Sequence, residues 1–260
     1  MNILFWNLKD NNNADYIINL IKIHQVDIAI FCEYYGLNQD IIKKALPNFT
    51  FSTGMDGCEK VIFLFKASIT NEVRRESNRY AMYSFEYDSI NYTIVGLHLP
   101  DQRSADSDAR KVVIGDLMRE LVELEKETNN YNTIIIGDFN AGPFDSELTQ
   151  KNMFNAVPFK DVIKKREIIE FQHKKYRRFY NPMVHYISED TKQYGSIYHT
   201  GGSSTVVWYA YDQVIVRNPL VDNINNILYC KSIGNTELIS KSGIPKGTIS
   251  DHLPLIVELG

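Results

Sequence analysis

Apolar runs in this chain repeatedly end in side chains that do not belong in a core, and that pattern constrains the fold more than any other feature. The clearest case is "NTIIIGDFN" (132–140), where three isoleucines lead into Gly137-Asp138-Phe139-Asn140. Four more share the pattern: Trp6-Asn7 after "NILF", Cys32-Glu33 after "DIAIF", His98 inside "GLHLP", and Asp251-His252 ahead of "LPLIVEL". Burying a carboxylate or amide without partners costs on the order of 2–7 kcal/mol. One such residue could be a structural hydrogen bond. Five imply strand ends converging on a shared polar site.

Around these positions strand-like and helix-like segments alternate. Residues 2–8 read as a strand, and 14–25 place Ile17, Leu20, Ile21 and His24 on one helical face. Residues 26–34 are apolar almost throughout, as in a strand covered on both faces. A short helix over 37–46 ends near Pro47, and strand-like runs follow at 59–66, 81–87 and 91–99. The clearest helix is 107–128, with Ser107 as its cap and Val113, Leu117, Leu121 and Leu124 as its stripe. The pattern weakens over 150–190, and strands return at 205–216, 226–230 and 251–259, with "HTGGSST" (199–205) as a connecting loop. One α/β domain over 1–260 is expected, with helices packed outside strands.

Composition narrows the function classes. Net charge is −4, whereas a sequence-independent grip on nucleic acid normally needs a basic surface. A local one is conceivable at 160–180, where Lys160, Lys164, Lys165, Arg166, Lys174, Lys175, Arg177 and Arg178 lie among Tyr176, Phe179 and Tyr180. That mixture suits phosphate contact and base stacking, although a charge run is more often a solvated face. The N-terminus has no signal-peptide pattern and no apolar run reaches membrane-span length, so no membrane anchor is expected. Cys32, Cys58 and Cys230 are scattered without metal-type spacing and read as buried free thiols of a reduced, cytoplasmic protein. Oligomeric state has no signature.

The polar inventory points to a reaction class. Glu33, Asp138 and Asp251 are hard oxygen donors, Asn7 and Asn140 are neutral ones, and His98 and His252 can move protons. Such ligands suit magnesium, which usually takes only one or two carboxylates directly. Zinc-type Cys/His spacing, the GxxxxGK[ST] phosphate loop and the GxSxG elbow are all missing from the sequence. The set suits metal-assisted attack of water on a phosphate ester.

Asn7, Glu33, the "GLHLP" histidine, "IIIGDFN", "YDQVIV" and the terminal "SDH" also occur in the order found in the endonuclease/exonuclease/phosphatase family. The chain resembles that deoxyribonuclease I-like family from residue 2 to about residue 259. The resemblance implies an α/β fold, a four-layer α/β/β/α sandwich of two packed mixed β-sheets flanked by helices. It implies Glu33 as main metal ligand helped by Asn7 and Asp251, with Mg2+ as cofactor and Mn2+ able to replace it. Asp138 and Asn140 would hold the attacking water or the phosphate oxygens. Asp212 would orient His252, which would act as base or as phosphate-stabilising cation. His98 would assist the departing oxygen, with Glu59 as its orienting partner. Arg103 and Arg110 could reach a phosphate; Arg110, inside the helix, could instead pair with a carboxylate. His24, His173, His185 and His199 match no family motif and read as surface or helix-face residues. A Tyr-containing motif usual in abasic-site endonucleases at the His98 position is missing, so the chain looks less like that branch. Three functions stay open. The first is a nuclease with nucleic acid, DNA foremost, as substrate. The second is a phosphoesterase on a lipid headgroup, inositol phosphate or nucleotide. The third is a non-catalytic binding module, against which the complete polar set argues.

Overall fold

The computed structural model describes residues 1–52, 57–101, 107–201 and 205–260, with Ser107 described in its backbone alone. The expected Ser107 cap and Arg103 therefore lie outside the described residues. The chain runs β1 (Asn2–Asn7), α1 (Ala14–Ile23), β2 (Ile28–Cys32), α2 (Gln39–Ala45), β3 (Phe49–Ser52), β4 (Val61–Lys66), β5 (Asn71–Ser77), β6 (Tyr80–Tyr87), β7 (Ile90–His98), α3 (Ser107–Thr128), β8 (Thr133–Asp138), α4 (Ser146–Thr149), β9 (Ala156–Val157) and α5 (Lys160–Lys165). It continues β10 (Ile168–Phe171), β11 (Lys174–Arg177), β12 (Phe179–Tyr180), α6 (Met183–Tyr186), β13 (Ile197–Tyr198), β14 (Trp208–Tyr209), β15 (Asp212–Val216), β16 (Ile224–Tyr229), β17 (Ser232–Ile233), β18 (Thr236–Glu237) and β19 (Leu255–Leu259).

Two large sheets carry the architecture. The first has the order β16-β19-β1-β2-β4-β3 and the second β5-β6-β7-β8-β15-β12-β9. Both are mixed: β1 pairs parallel with β2, and β7 with β8, beside antiparallel neighbours. The sheets pack face to face. A Cβ on Gly96 would fall 2.6 Å from the Phe63 ring of the facing sheet and 3.0 Å from Ile30 Cγ2, so bare backbone lets the layers close here. Phe63 and Tyr83 meet across the same layer with ring centroids 4.6 Å apart.

Helix α3 covers the outer face of the second sheet. Ile114, Leu117, Leu121 and Leu124 are fully buried and join Val95, Ile135 and Ile215 in one core cluster. The stripe starts at Ile114 rather than at Val113, which is only partly buried. Helix α1 adds Ile17, Leu20 and Ile21 to the core of the first sheet, and His24 falls just past the helix end. Asn38 starts α2 by accepting the amides of Asp40 and Ile41 on its side chain, the usual role of an Asn at that position. The expected strand over 205–216 is two: β14 pairs with β13 in a small ribbon, and β15 alone enters the large sheet. All three cysteines are buried and free. Among the described residues no helix is long and apolar enough to cross a membrane.

The basic segment 160–180 is α5 followed by the β10–β11 hairpin. Its attachment point is far from the motif strand ends. Arg217, just past β15, donates its amide to the carbonyl of Thr133 at the start of β8 and its Nη1 to the carbonyl of Arg177. The whole length of β8 separates that end from Asp138. Within the segment Arg177 pairs with Glu167 and lies over the Tyr131 ring, while Lys164 pairs with Asp222.

Candidate active site

Register alone aligns three of the functional side chains. On adjacent strands His98 of β7 sits opposite Asp138 of β8, and Asp138 sits opposite Asp212 of β15. Alternate strand residues share a face. Asp138 therefore follows Ile134 and Ile136, and Asp212 follows Val214 and Val216, into the layer between the sheets. Phe139 turns the other way and packs edge-on against Phe154 under α3. Gly137 lies inside the strand, not at its exit. A Cβ there would come within 2.1 Å of the Leu97 carbonyl oxygen, so a bare α-carbon is needed for β7 and β8 to pair at this height. From the first sheet, Asn7 and Cys32 end β1 and β2 in register with each other. Trp6 Nε1 donates to the His252 carbonyl at 2.9 Å and ties the C-terminal motif to β1.

These strand ends meet around two carboxylates. Asn7 Nδ2 donates to Glu33 Oε1 at 3.0 Å and to Asp138 Oδ2 at 3.2 Å. His98 Nε2 lies 3.6 Å from Glu33 Oε1 and 3.8 Å from Asp138 Oδ2. The other oxygen of Asp138 accepts the Asn140 amide at 2.9 Å, an Asx turn, and Asn140 Nδ2 donates to the Leu99 carbonyl at 3.0 Å. Asp138 thus serves a turn with one oxygen and the site with the other. Asp212 Oδ2 lies 2.8 Å from His252 Nδ1. Two residues with no sequence signal position Asp212. Its amide donates to Ser196 Oγ at 3.1 Å, and its carbonyl accepts from the Tyr229 hydroxyl at 2.6 Å. Ser250, between the strands, donates to the Asn7 carbonyl and accepts the His252 amide.

The backbone here is unusual. Glu33 (φ 47°), Lys9 (φ 53°), Asp10 (φ 55°) and Asn140 (φ 46°) all lie in the left-handed region, which Asn tolerates and Glu and Lys do not favour. Glu33 therefore stands just off the end of β2, held where its carbonyl accepts the Asp10 amide at 2.7 Å.

The two histidines are driven apart. Burial pulls His252 down, but the Asp212 carboxylate, with Asp138 and Asp251 behind it, overrides burial and pushes it up to about 10. Burial lowers His98, and Arg79 and His252 add to that, against Asp138 and Glu33. Burial lifts Asp212 to about 6, against the pull of His252. At neutral pH the His252–Asp212 pair is an imidazolium–carboxylate pair and His98 is neutral.

Several expected residues are not brought in. Glu59 is exposed in the loop ahead of β4 and does not orient His98, because the strand begins only at Val61. His98 Nδ1 is buried with no hydrogen-bond partner among the described residues. Arg110 is buried against Glu147, with Nε and Nη2 each 2.9 Å from its Oε1, and so ties α3 to α4 instead of facing a phosphate. Asp251 is paired with Lys9 at 3.3 Å, half exposed, and lies outside the Glu33–Asn7–Asp138 cluster. Among the described residues two groups of ligand atoms lie within 4.8 Å of one another: Cys32, His98 and Asp138, and Asp138, Asp212 and His252.

With that geometry the chain can be set beside known proteins. No protein-family model matches the sequence, and no curated protein matches it. Solved structures do match over the full chain. An endonuclease/exonuclease/phosphatase family protein from Bacteroides thetaiotaomicron superposes with a TM-score of 0.57 at 14% identity, covering 100% of this chain and 97% of that one. D. rerio TDP2 complexed with a single-strand DNA product gives 0.59 at 13%, covering 100% and 98%. The 3′ phosphatase NExo from Neisseria, bound to a product DNA hairpin, gives 0.54 at 13%, covering 100% and 99%. The fold is that of the endonuclease/exonuclease/phosphatase proteins. It is the α/β sandwich of two mixed sheets that the sequence motifs imply.

Proposed function

We propose that this chain is a magnesium-dependent hydrolase of phosphodiester bonds, with DNA as substrate. The observation that carries the reading is the row His98–Asp138–Asp212 capped by His252, in which one histidine is held neutral and the other charged. Groups whose environments push their pKa values apart are suited to opposite proton-transfer roles. The structures of TDP2 with a DNA product and NExo with a product hairpin support DNA as the substrate class.

The donor set fits a divalent cation. Two carboxylates, Glu33 and Asp138, converge on one amide, and Asp212 Oδ1 is buried with no partner among the described residues, so excess negative charge is concentrated here. Glu33 and Asp138 would hold the ion, with Mn2+ able to replace Mg2+, and Asn7 would join only by turning its Oδ1 from the Lys9 amide towards the carboxylates. A bound divalent ion supplies neutralisation of the phosphate charge. Asp251 would join only by leaving Lys9.

The chain's own groups then divide the proton work. His252 uses Nδ1 on Asp212, leaving Nε2 to face the phosphate as a cation and to protonate the departing oxygen. His98, which the resemblance cast as assisting the departing oxygen, is held neutral and instead takes the proton of the attacking water as the new P–O bond forms and the ester P–O bond breaks. Of the two roles open for His252, its charge favours the cationic one. Purified protein with Mg2+ is expected to nick plasmid DNA, and EDTA to stop it.

A second reading has its own observation. The basic segment 160–180 is attached at the opposite end of the second sheet, so its charges do not line the strand ends where the reaction would occur. A small phosphoester would need no such surface. If DNA survives while a nucleotide, inositol phosphate or phospholipid panel is cleaved, the smaller-substrate reading stands and the nuclease reading fails.

A further inference from the structure

We propose that Cys32, His98 and Asp138 form a second, softer ligand set that captures a thiophilic divalent cation such as Zn2+ or Cd2+. Cys32 ends β2 in register with Asn7 of β1, so its side chain shares the inter-sheet face on which Asn7 reaches Asp138. One ligand atom from each of Cys32, His98 and Asp138 lies within 4.8 Å of the others, and all three residues are buried. His98 is 8% exposed, and its Nδ1 has no hydrogen-bond partner among the described residues, so the ring is not committed to a structural bond.

The donor types decide the ion. Sulfur, imidazole nitrogen and carboxylate oxygen together suit zinc-like ions, which are four-coordinate and accept thiolate. Magnesium takes oxygen and shuns sulfur. Glu33, with its side chain 38% exposed and Oε1 3.6 Å from His98 Nε2, stands beside the three mutually close ligands without joining them and offers the route in from solvent. Cys58 and Cys230 are also buried, but among the described residues neither belongs to such a group; Cys230 faces only His24, at 3.7 Å. Capture exchanges the Cys32 S–H proton for a metal–sulfur bond, and the proton leaves to solvent. The ion would occupy His98 and Asp138, so it would block the hydrolytic site. That consequence rests on the proposed function, while the binding itself does not.

Cd2+ titration followed by the ultraviolet thiolate-to-metal charge-transfer band reads binding without any substrate. One equivalent is expected to saturate the band in the wild-type chain and in a Cys58→Ser/Cys230→Ser double variant, where Cys32 is the sole thiol. Cys32→Ser is expected to lose the band and to bind Zn2+ about tenfold or more weakly in equilibrium dialysis. No band in the wild type, loss of the band in the folded double variant, or wild-type Zn2+ affinity in Cys32→Ser would overturn the proposal. A parallel assay asks whether stoichiometric Zn2+ suppresses Mg2+-supported cleavage in the wild type more than in Cys32→Ser. No cleavage with Mg2+ alone, with the absorbance intact, counts against the hydrolase reading and not against the ligand set, whereas cleavage that Zn2+ suppresses equally or not at all in both chains removes only the blocking of the site.

Discussion

The two ends of the second sheet both bury charge, and they treat it in opposite ways. At the β8 start, Arg217 is fully enclosed and fully partnered. Its Nε and Nη2 donate to the two oxygens of Glu125 at 2.8 and 3.1 Å, Nη1 donates to the Arg177 carbonyl at 2.7 Å, and its plane lies 3.8 Å over Phe179. Thr133 completes Glu125 at 2.8 Å. At the β8 end, Asp212 Oδ1 and His98 Nδ1 are buried without partners among the described residues, and Glu33 is held in left-handed backbone. A buried charge that is satisfied everywhere stiffens a fold. Buried polar atoms left open, on strained backbone, mark a place built to meet something else.

Substitutions can break that contrast, and the largest effect falls at the open end. His252→Ala and Asp138→Ala are each expected to lower the cleavage rate by about a thousandfold, with the far-ultraviolet spectrum unchanged. At the closed end, Glu125→Gln or Arg217→Met strands a buried partner and should cost about 3–5 kcal/mol in urea unfolding, while the cleavage rate below the transition stays near wild type.

The pH dependence of stability sharpens the contrast further. His252 is raised from 6.5 to about 10, so the stability gained by its protonated form is full below pH 6.5 and is lost as pH rises through that higher value, while the ion pair itself spans the window above the Asp212 value of about 6. Asp212, raised from 3.8 to about 6, runs with the same sign over its own lower window. The difference in unfolding free energy between wild type and Asp212→Asn should therefore shrink as pH climbs from neutrality towards 10. A constant difference would mean that the pair is not ionised in the fold. Gly137→Ala should cost roughly 1–3 kcal/mol by forcing β7 and β8 apart at the Leu97 carbonyl. The smallest effect belongs to the basic hairpin: Lys174→Glu with Lys175→Glu should shift stability by less than about 0.5 kcal/mol and leave plasmid cleavage unchanged. A large loss of cleavage there would bring the hairpin into substrate binding.

Much of this was legible in the sequence because polar residues at the ends of apolar strands have few reasons to exist. Asn7, Glu33, His98, Asp138 and His252 could be named that way, Asp212 only through the family resemblance of "YDQVIV", and strand register brings them together. What could not be read depends on where loops and side chains settle. Glu59 belongs to a loop that leaves it exposed, and Asp251 turns to Lys9. Arg110 finds Glu147 across a helix contact that no spacing encodes. The edge strands β3 and β5 were invisible, since Phe49–Ser52 and Asn71–Ser77 are half exposed and mix polar and charged residues in place of an apolar run. Ser196 and Tyr229 act through the backbone of Asp212, which leaves no pattern in their own segments.

Single-turnover cleavage of labelled DNA in Mg2+ by wild type, Asp212→Asn and Glu125→Gln tests the central claim most directly. Asp212→Asn is expected to lose about a thousandfold or more in rate and Glu125→Gln to cleave at the wild-type rate under conditions where it is folded. Cleavage that survives Asp212→Asn, or that fails in folded Glu125→Gln, would contradict that claim.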